Sequence, residues 1–253
     1  MSGKVIPPAA ERICRYPELP STEDCVVLVD KPKGWTSFDV VRKLRRLLHV
    51  KKIGHAGTLD PMATGLLICL LGRATKRMEH FMGLPKTYEG VLRLGEATPS
   101  YDADSEVVER KDWRHLTSHD LEAARKQFRG DLEQIPPMFS AVKVGGERLY
   151  KKARRGEEVE RKPRRITIYD FDLLDVAMPD VTFRVRCSKG TYVRSLAHDF
   201  GAVLGVGAHL TALRRTAIGE YDVADAWRVE ALESAVGGYS GTDTAPGQAG
   251  AKE

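Results

Sequence analysis

Residues 54–67, GHAGTLDPMATGLL, decide how this chain is read. They place three glycines, a histidine, two threonines and an Asp–Pro pair between a basic helical pattern and an apolar run. Pro61 biases Asp60 toward extended geometry and stiffens the turn after it. The glycines let a backbone or a ligand approach closely. The run GLLICLL (65–71) is short, apolar and bounded by turn residues, so it predicts a buried strand. A carboxylate fixed at the mouth of a sheet suits nucleophilic or general-base chemistry. The same residues also read as an Asp–Pro turn with His55 as a structural brace, and local physics leaves both readings open. Neither GxxxxGK[ST] nor GxGxxG fits the stretch, so no phosphate loop is implied.

Outward from this segment, helix and strand patterns alternate without a regular βαβ rhythm. CVVLVD (25–30) predicts a buried strand. KPKGW then turns the chain, and Thr36 or Ser37 caps a helix with Val40, Leu44, Leu47 and Leu48 as its apolar stripe. A short helix is expected at 74–82. TYEGVLRLG (87–95) alternates, with Tyr88, Gly90, Leu92 and Leu94 on one face. Thr117 and Asp120 form a capping box. RITIYDFDLL (165–174) and VTFRVRC (181–187) predict strands. After Gly190 a helix carries Val193, Leu196, Ala197, Phe200 and Leu204. The expectation is an α+β fold, a mixed, largely antiparallel sheet flanked by helices. YDADSEVVE (101–109) spaces its acids, but Val107 stands where an EF-hand loop needs glycine.

The chain has 253 residues, 42% of them apolar, and a formal charge of +5. That is enough for a sizeable core and a mild basic bias that fits a polyanionic partner. Cysteines 14, 25, 69 and 187 form no CxxC pair, so neither zinc nor a redox couple is favoured. A reduced, cytoplasmic setting is expected. No apolar run approaches a membrane span, and the N-terminus has no apolar signal core. Composition divides the chain into a flexible arm (1–25), a folded domain (26–236) and a disordered Gly/Ser/Thr/Ala/Pro tail (237–253).

The segment GHAGTLDPMATG resembles the catalytic signature of the TruB-type pseudouridine synthases. VDKPKGWTSFDVV (29–41), GRATK (72–76), KTYEGVLRLG (86–95), TPSYDADSE (98–106), QIPPMFSAVKVGGERLYKKARRGEEVE (134–160), CSKGTYVRSLAHDFG (187–201) and HLTALRRTAIGEY (209–221) come in the family's order. The similarity covers about 25–230. It implies a pseudouridine synthase fold and isomerisation of a T-loop uridine in tRNA after base flipping. It further implies cleavage of the N1–C1′ bond, rejoining through C5, and no metal or cofactor. Asp60 matches the catalytic aspartate. Every proposed route needs it ionised, which an Asp of reference pKa about 3.9 supplies near neutrality. Arg194 matches the arginine that pairs with it, Tyr88 the tyrosine that stacks on the target base, and Leu213 a leucine of the uracil pocket. His55 matches a residue stacking where flipped-out nucleotides lie. Tyr192 and Lys31 complete the implied substrate-binding set.

The stretch about 135–165 matches the family's RNA-gripping insertion. Lys143, Arg148, Lys151, Lys152, Arg154 and Arg155 are its expected phosphate contacts, within a segment of ten cations against four glutamates (141–165). Ala56 stands where the family usually has Thr or Ser, and Thr58 is the expected replacement for that hydroxyl. Little sequence remains after Tyr221, which leaves no room for the C-terminal PUA domain that guide-dependent relatives use. The expected partner is therefore tRNA, through its T-loop and stem, bound by a monomer with no obligatory protein or guide RNA and no membrane. The competing readings are a catalytically idle RNA-binding scaffold and a guide-dependent synthase.

Overall fold

The structure is a computed structural model describing residues 12–18, 20, 24–140, 142–153 and 155–239. The principal strands of its main sheet are β1 (Arg12–Cys14), β2 (Cys25–Lys31), β3 (Ile53–His55), β4 (Thr64–Leu71), β5 (Lys86–Leu94), β6 (Gly130–Gln134), β7 (Arg164–Ala177), β8 (Asp180–Cys187) and β9 (Ala208–Ile218). They form one sheet in the order β1-β2-β4-β9-β5-β8-β7-β6, with β3 alongside β4. Pairing along this path is antiparallel except at β1/β2 and β4/β9. The helices are α1 (Ser37–Leu47), α2 (Met78–Gly83), α3 (Ser118–Lys126), α4 (Leu149–Ala153), α5 (Val193–Val203) and α6 (Val229–Tyr239). The mixed sheet flanked by helices is the α+β architecture read from the sequence.

The apolar run of β4 is continuous because both of its faces are covered. Leu67, Cys69 and Leu71 pack with α1 and Trp227, whereas Leu66, Ile68 and Leu70 pack with Phe81 and Tyr221. The alternating strands bury one face only. Tyr88, Leu92 and Leu94 of β5 join Val181, Phe183 and Val185 of β8 beneath α3 and α5. Their other face carries ion pairs at the surface, Arg93–Asp180 at 2.8 Å and Arg184–Glu89 at 2.9 Å. An antiparallel sheet with one face on the core and one in water reads as such an alternation. Thr36 and Thr117 cap α1 and α3 in reciprocal boxes with Asp39 and Asp120. The helix expected at 74–82 divides into a 3₁₀ turn (Gly72–Arg77) and α2.

The expected boundary at 25/26 is corrected. Arg12–Cys14 pairs in parallel with Cys25–Val27 and closes the sheet edge. Tyr16 packs edge-on against Trp227 at 4.9 Å, and Trp227 Nε1 donates to the Glu18 carbonyl at 3.1 Å. An aromatic lock and a strand ladder hold part of a segment that was expected to be a flexible arm. At the other end α6 runs three residues past the expected limit of 236; residues 240–253 of the expected tail lie outside the described residues. The four cysteines are buried and unbridged. No described helix is long and apolar enough to cross a membrane.

Candidate active site

Asp60 lies on the loop that joins β3 to β4, where β4 meets β9 in the central parallel pair. Thr64 and Gly65 stand opposite Arg214 and Arg215 in that register. Four separate parts of the chain fix the loop. Gly34 N donates to the Pro61 carbonyl at 2.8 Å. Ser37 Oγ accepts from Leu59 N at 2.9 Å and donates to Leu59 O at 3.2 Å. Lys31 Nζ donates to the carbonyls of Pro32 (3.0 Å), Trp35 (2.6 Å) and Pro61 (3.4 Å). Arg215 Nη2 donates to Gly57 O at 3.1 Å.

The side chain of Asp60 remains 38% exposed, and its partner is nearly sealed. Arg194 Nε donates to Asp60 Oδ2 at 2.9 Å. The other guanidinium nitrogens donate to Ser100 O and Phe139 O, each at 2.9 Å, and Nη1 lies 3.3 Å from Asp102 Oδ2. Arg194 and Asp102 are 5% and 3% exposed. All three guanidinium nitrogens are therefore committed, which fixes the direction of the bond to Asp60. The first turn of α5 presents Arg194. Its entry is set by Gln134, which donates to Tyr192 O at 3.0 Å and accepts from Tyr192 N at 2.8 Å. Ser195 Oγ donates to Ile135 O at 3.0 Å.

Tyr88 pairs with Arg215 across β5/β9 and with Val185 across β5/β8. Burial pushes its phenol above the ordinary value, while the nearby Arg215 cation pulls it back. Leu213 borders a cleft with Met62, Thr64 and Gly90. Asp60, Tyr88, Arg194 and Leu213, spread over more than 150 positions in the sequence, thus meet around one junction of the sheet. His55 ends β3, opposite Cys69, and burial holds its imidazole below the ordinary value. Lys31 differs from its expected place. It is fully buried behind the Asp60 loop, where it braces three carbonyls instead of facing the cleft. Desolvation lowers its ammonium to about 8.

Thr58 does not replace the hydroxyl missing at Ala56. It is exposed and makes no hydrogen bond among the described residues; Ser37 supplies the loop's hydroxyl from α1. Arg155, expected on phosphate, is held bidentately by Glu147 at 2.9 and 2.8 Å and by Glu157 at 2.6 Å, so its charge is largely compensated. Lys151 is exposed and Lys152 partly so. Arg154, and the side chains of Lys143 and Arg148, lie outside the described residues. Asp102, Ser37, Gln134 and Arg215 were not singled out for this site from sequence. For Arg215 a signal existed: it stands two places after Leu213 on a strand, hence on the same, core-facing side. For the others the sequence carries none, because their partners lie 22 to 92 residues away.

The fold and the site define a class of protein, a mixed sheet that holds a partly exposed carboxylate, paired with a buried arginine, near a buried phenol at the junction of its central parallel pair. Comparison with known proteins narrows the class. A model of the TruB family pseudouridylate synthase N-terminal domain matches residues 45–193, and one of the tRNA pseudouridylate synthase B C-terminal domain matches 194–245. The tRNA pseudouridine synthase B of Opitutus terrae is 54% identical over 211 residues, covering 83% of this chain and 88% of the relative. That of Flavobacterium johnsoniae is 46% identical over 221 residues, covering 85% and 96%. Among solved structures, a chain of a Cbf5-Nop10-Gar1 complex matches with a TM-score of 0.66 at 31% identity, over 83% of this chain and 53% of that one. This chain therefore spans about half the length of that structural neighbour. The chain belongs to the TruB family of pseudouridylate synthases.

Proposed function

We propose that this chain isomerises uridine to pseudouridine in the T-loop of tRNA, acting as a monomer without a guide RNA or protein partner. The observation that carries the reading is the 2.9 Å bond from a nearly sealed Arg194 to a partly exposed Asp60. The reaction breaks the N1–C1′ bond, turns the uracil and joins C5 to C1′. The proton leaving C5 is matched by one gained at N1, so the product is an isomer and no redox partner is required. Asp60 supplies the fixed negative charge at the sugar–base bond, and Arg194 keeps it aimed there. Tyr88 offers a flat face for the base and a phenol able to move a proton. Leu213 and Met62 give the turning base an apolar wall.

The target base is stacked and paired inside the T-loop, so its extrusion costs a few kcal/mol. Contacts from the cleft and from the exposed lysines of the 135–165 segment offset that cost. The test is to incubate the purified protein alone with an unmodified tRNA transcript and to map pseudouridine. One modified uridine in the T-loop is expected, and none with Asp60→Asn. Tight binding without product would favour the idle scaffold. Product only after adding a guide RNA and partner proteins would favour the guide-dependent reading.

A further inference from the structure

Arg215 is 1% exposed and has no carboxylate partner among the described residues. Its acceptors are two carbonyls. Nε donates to Leu66 O at 2.7 Å and Nη2 to Gly57 O at 3.1 Å, so one side chain ties both ends of the loop that carries Asp60. Its guanidinium carbon lies 6.0 Å from the centre of the Tyr88 ring. The backbone repeats the connection: Arg215 is the register partner of Gly65 on one side and of Tyr88 on the other. Gly65 (φ +103°) admits this approach, since a Cβ there would sit 2.2 Å from Arg215 O. A buried cation without a counter-charge is costly, and ordinary packing would favour an apolar side chain at such a point.

We infer that Arg215 is a positioning residue of the catalytic centre, a buried clamp that fixes the Asp60 loop and the Tyr88 ring relative to each other and supplies a positive field beneath both. The inference rests on the reading of Asp60 and Tyr88 as the working groups, and it extends that reading to a residue that touches neither substrate nor the reacting atoms. The groups that share this buried region are Lys31 on β2, His55 on β3, Cys69 on β4, Lys86 and Tyr88 on β5, Cys187 on β8 and Asp60 on the loop. Most of those that carry charge are cations, so Arg215 adds to a positive interior whose nearby anion is Asp60. A preorganised field of this kind favours an ionised carboxylate and any negative charge that gathers on the phenol during proton movement.

The full chain, with its tyrosines labelled at the ring carbon bearing the hydroxyl, is titrated by NMR as Arg215, Arg215→Met and Arg215→Lys; Tyr88→Phe assigns the resonance. Arg215→Met is expected to raise the Tyr88 titration, because it removes a charge that opposes the effect of burial. Arg215→Lys is expected to keep the titration near its original position. It cannot span both carbonyls, so kcat on tRNA should still fall at least about tenfold with little change in KM. In a Tyr88→Phe background the Met change should lower kcat much less than it does alone. A Tyr88 titration unmoved in folded Arg215→Met would overturn the inference. If Arg215→Met does not fold, Arg215→Lys decides, and parental kcat in that variant would overturn it. The titration needs no turnover, so failure of the proposed activity would remain visible separately.

Discussion

Arg194→Met isolates what the buried end of the Asp60 pair contributes. Met keeps the length and apolar stem of the side chain but removes the charge. Asp60 is partly exposed and can be hydrated. Asp102, 3% exposed and 3.3 Å from Nη1, cannot, so its charge is left buried without the cation. Ser100 O and Phe139 O lose a donor each at the same time. Breaking a buried pair by removing one partner costs about 3–5 kcal/mol. For a domain of this size each kcal/mol lowers Tm by roughly 2–4 °C, which gives a fall of about 6–20 °C. Asp102→Asn in the Arg194→Met background removes the stranded charge and should recover much of that loss, with a coupling energy of roughly 1.5 kcal/mol or more. Calorimetry on the four proteins of the cycle measures this directly. Strictly additive losses, or a fall of Tm below about 2 °C for Arg194→Met, would refute the reasoning that Asp102 depends on Arg194. In the same proteins kcat should drop by at least about 10²-fold, since the carboxylate loses its fixed direction, while tRNA binding changes little.

Asp60→Asn should abolish pseudouridine formation while tRNA affinity, measured by filter binding, stays within about threefold, a loss confined to catalysis; turnover within tenfold of the parent would remove Asp60 from the role. Replacing Lys151 and Lys152 with Ala should lower the log–log salt slope of tRNA binding by about 0.7–0.9 per lost phosphate contact, whereas Arg155→Ala, already paired with Glu147 and Glu157, should lower it much less. Lys31 is held near 8 in the folded protein against an ordinary 10.5, so between those values the unfolded chain binds more protons and this group's contribution to stability rises with pH. Lys31→Met should flatten that rise in urea unfolding between pH 8 and pH 10, leaving the part that Lys86, also near 8, supplies. Gly65→Ala places a Cβ 2.2 Å from Arg215 O at φ +103° and should cost at least about 2 kcal/mol of unfolding free energy.

Local physics and one extended resemblance account for the parts of this protein that were legible in its sequence. Period-two alternation placed β5 and β8, because each buries one face against α5 and leaves the other in water. The continuous apolar run of β4 announced a strand covered on both sides. The capping box at Thr117–Asp120 located the start of α3, since a reciprocal cap is encoded within four residues, and for α1 the sequence offered Thr36 or Ser37, of which the structure uses Thr36. The motif around Asp60 and the family resemblance that matched Tyr88, Arg194 and Leu213 marked the candidate site, and the Asp60–Arg194 bond joins two of its members in the fold.

Contacts between distant segments settled the rest, and these exist only in the folded chain. Arg12–Cys14 became a strand because β2 offered an open edge and Trp227 a ring for Tyr16, neither of which composition reports. Lys31 proved to be a brace buried under the loop, since only the folded path brings the carbonyls of Trp35 and Pro61 to its ammonium. Arg155 lies in a surface ion-pair cluster with Glu147 and Glu157, a pairing that the charge count of the segment does not report. Arg215 shows the difference most clearly. The strand pattern placed a charge on the core side, but its two carbonyl acceptors and the Tyr88 ring come from segments more than 100 residues away. Their convergence is a property of the sheet order, which no local pattern in this sequence encodes.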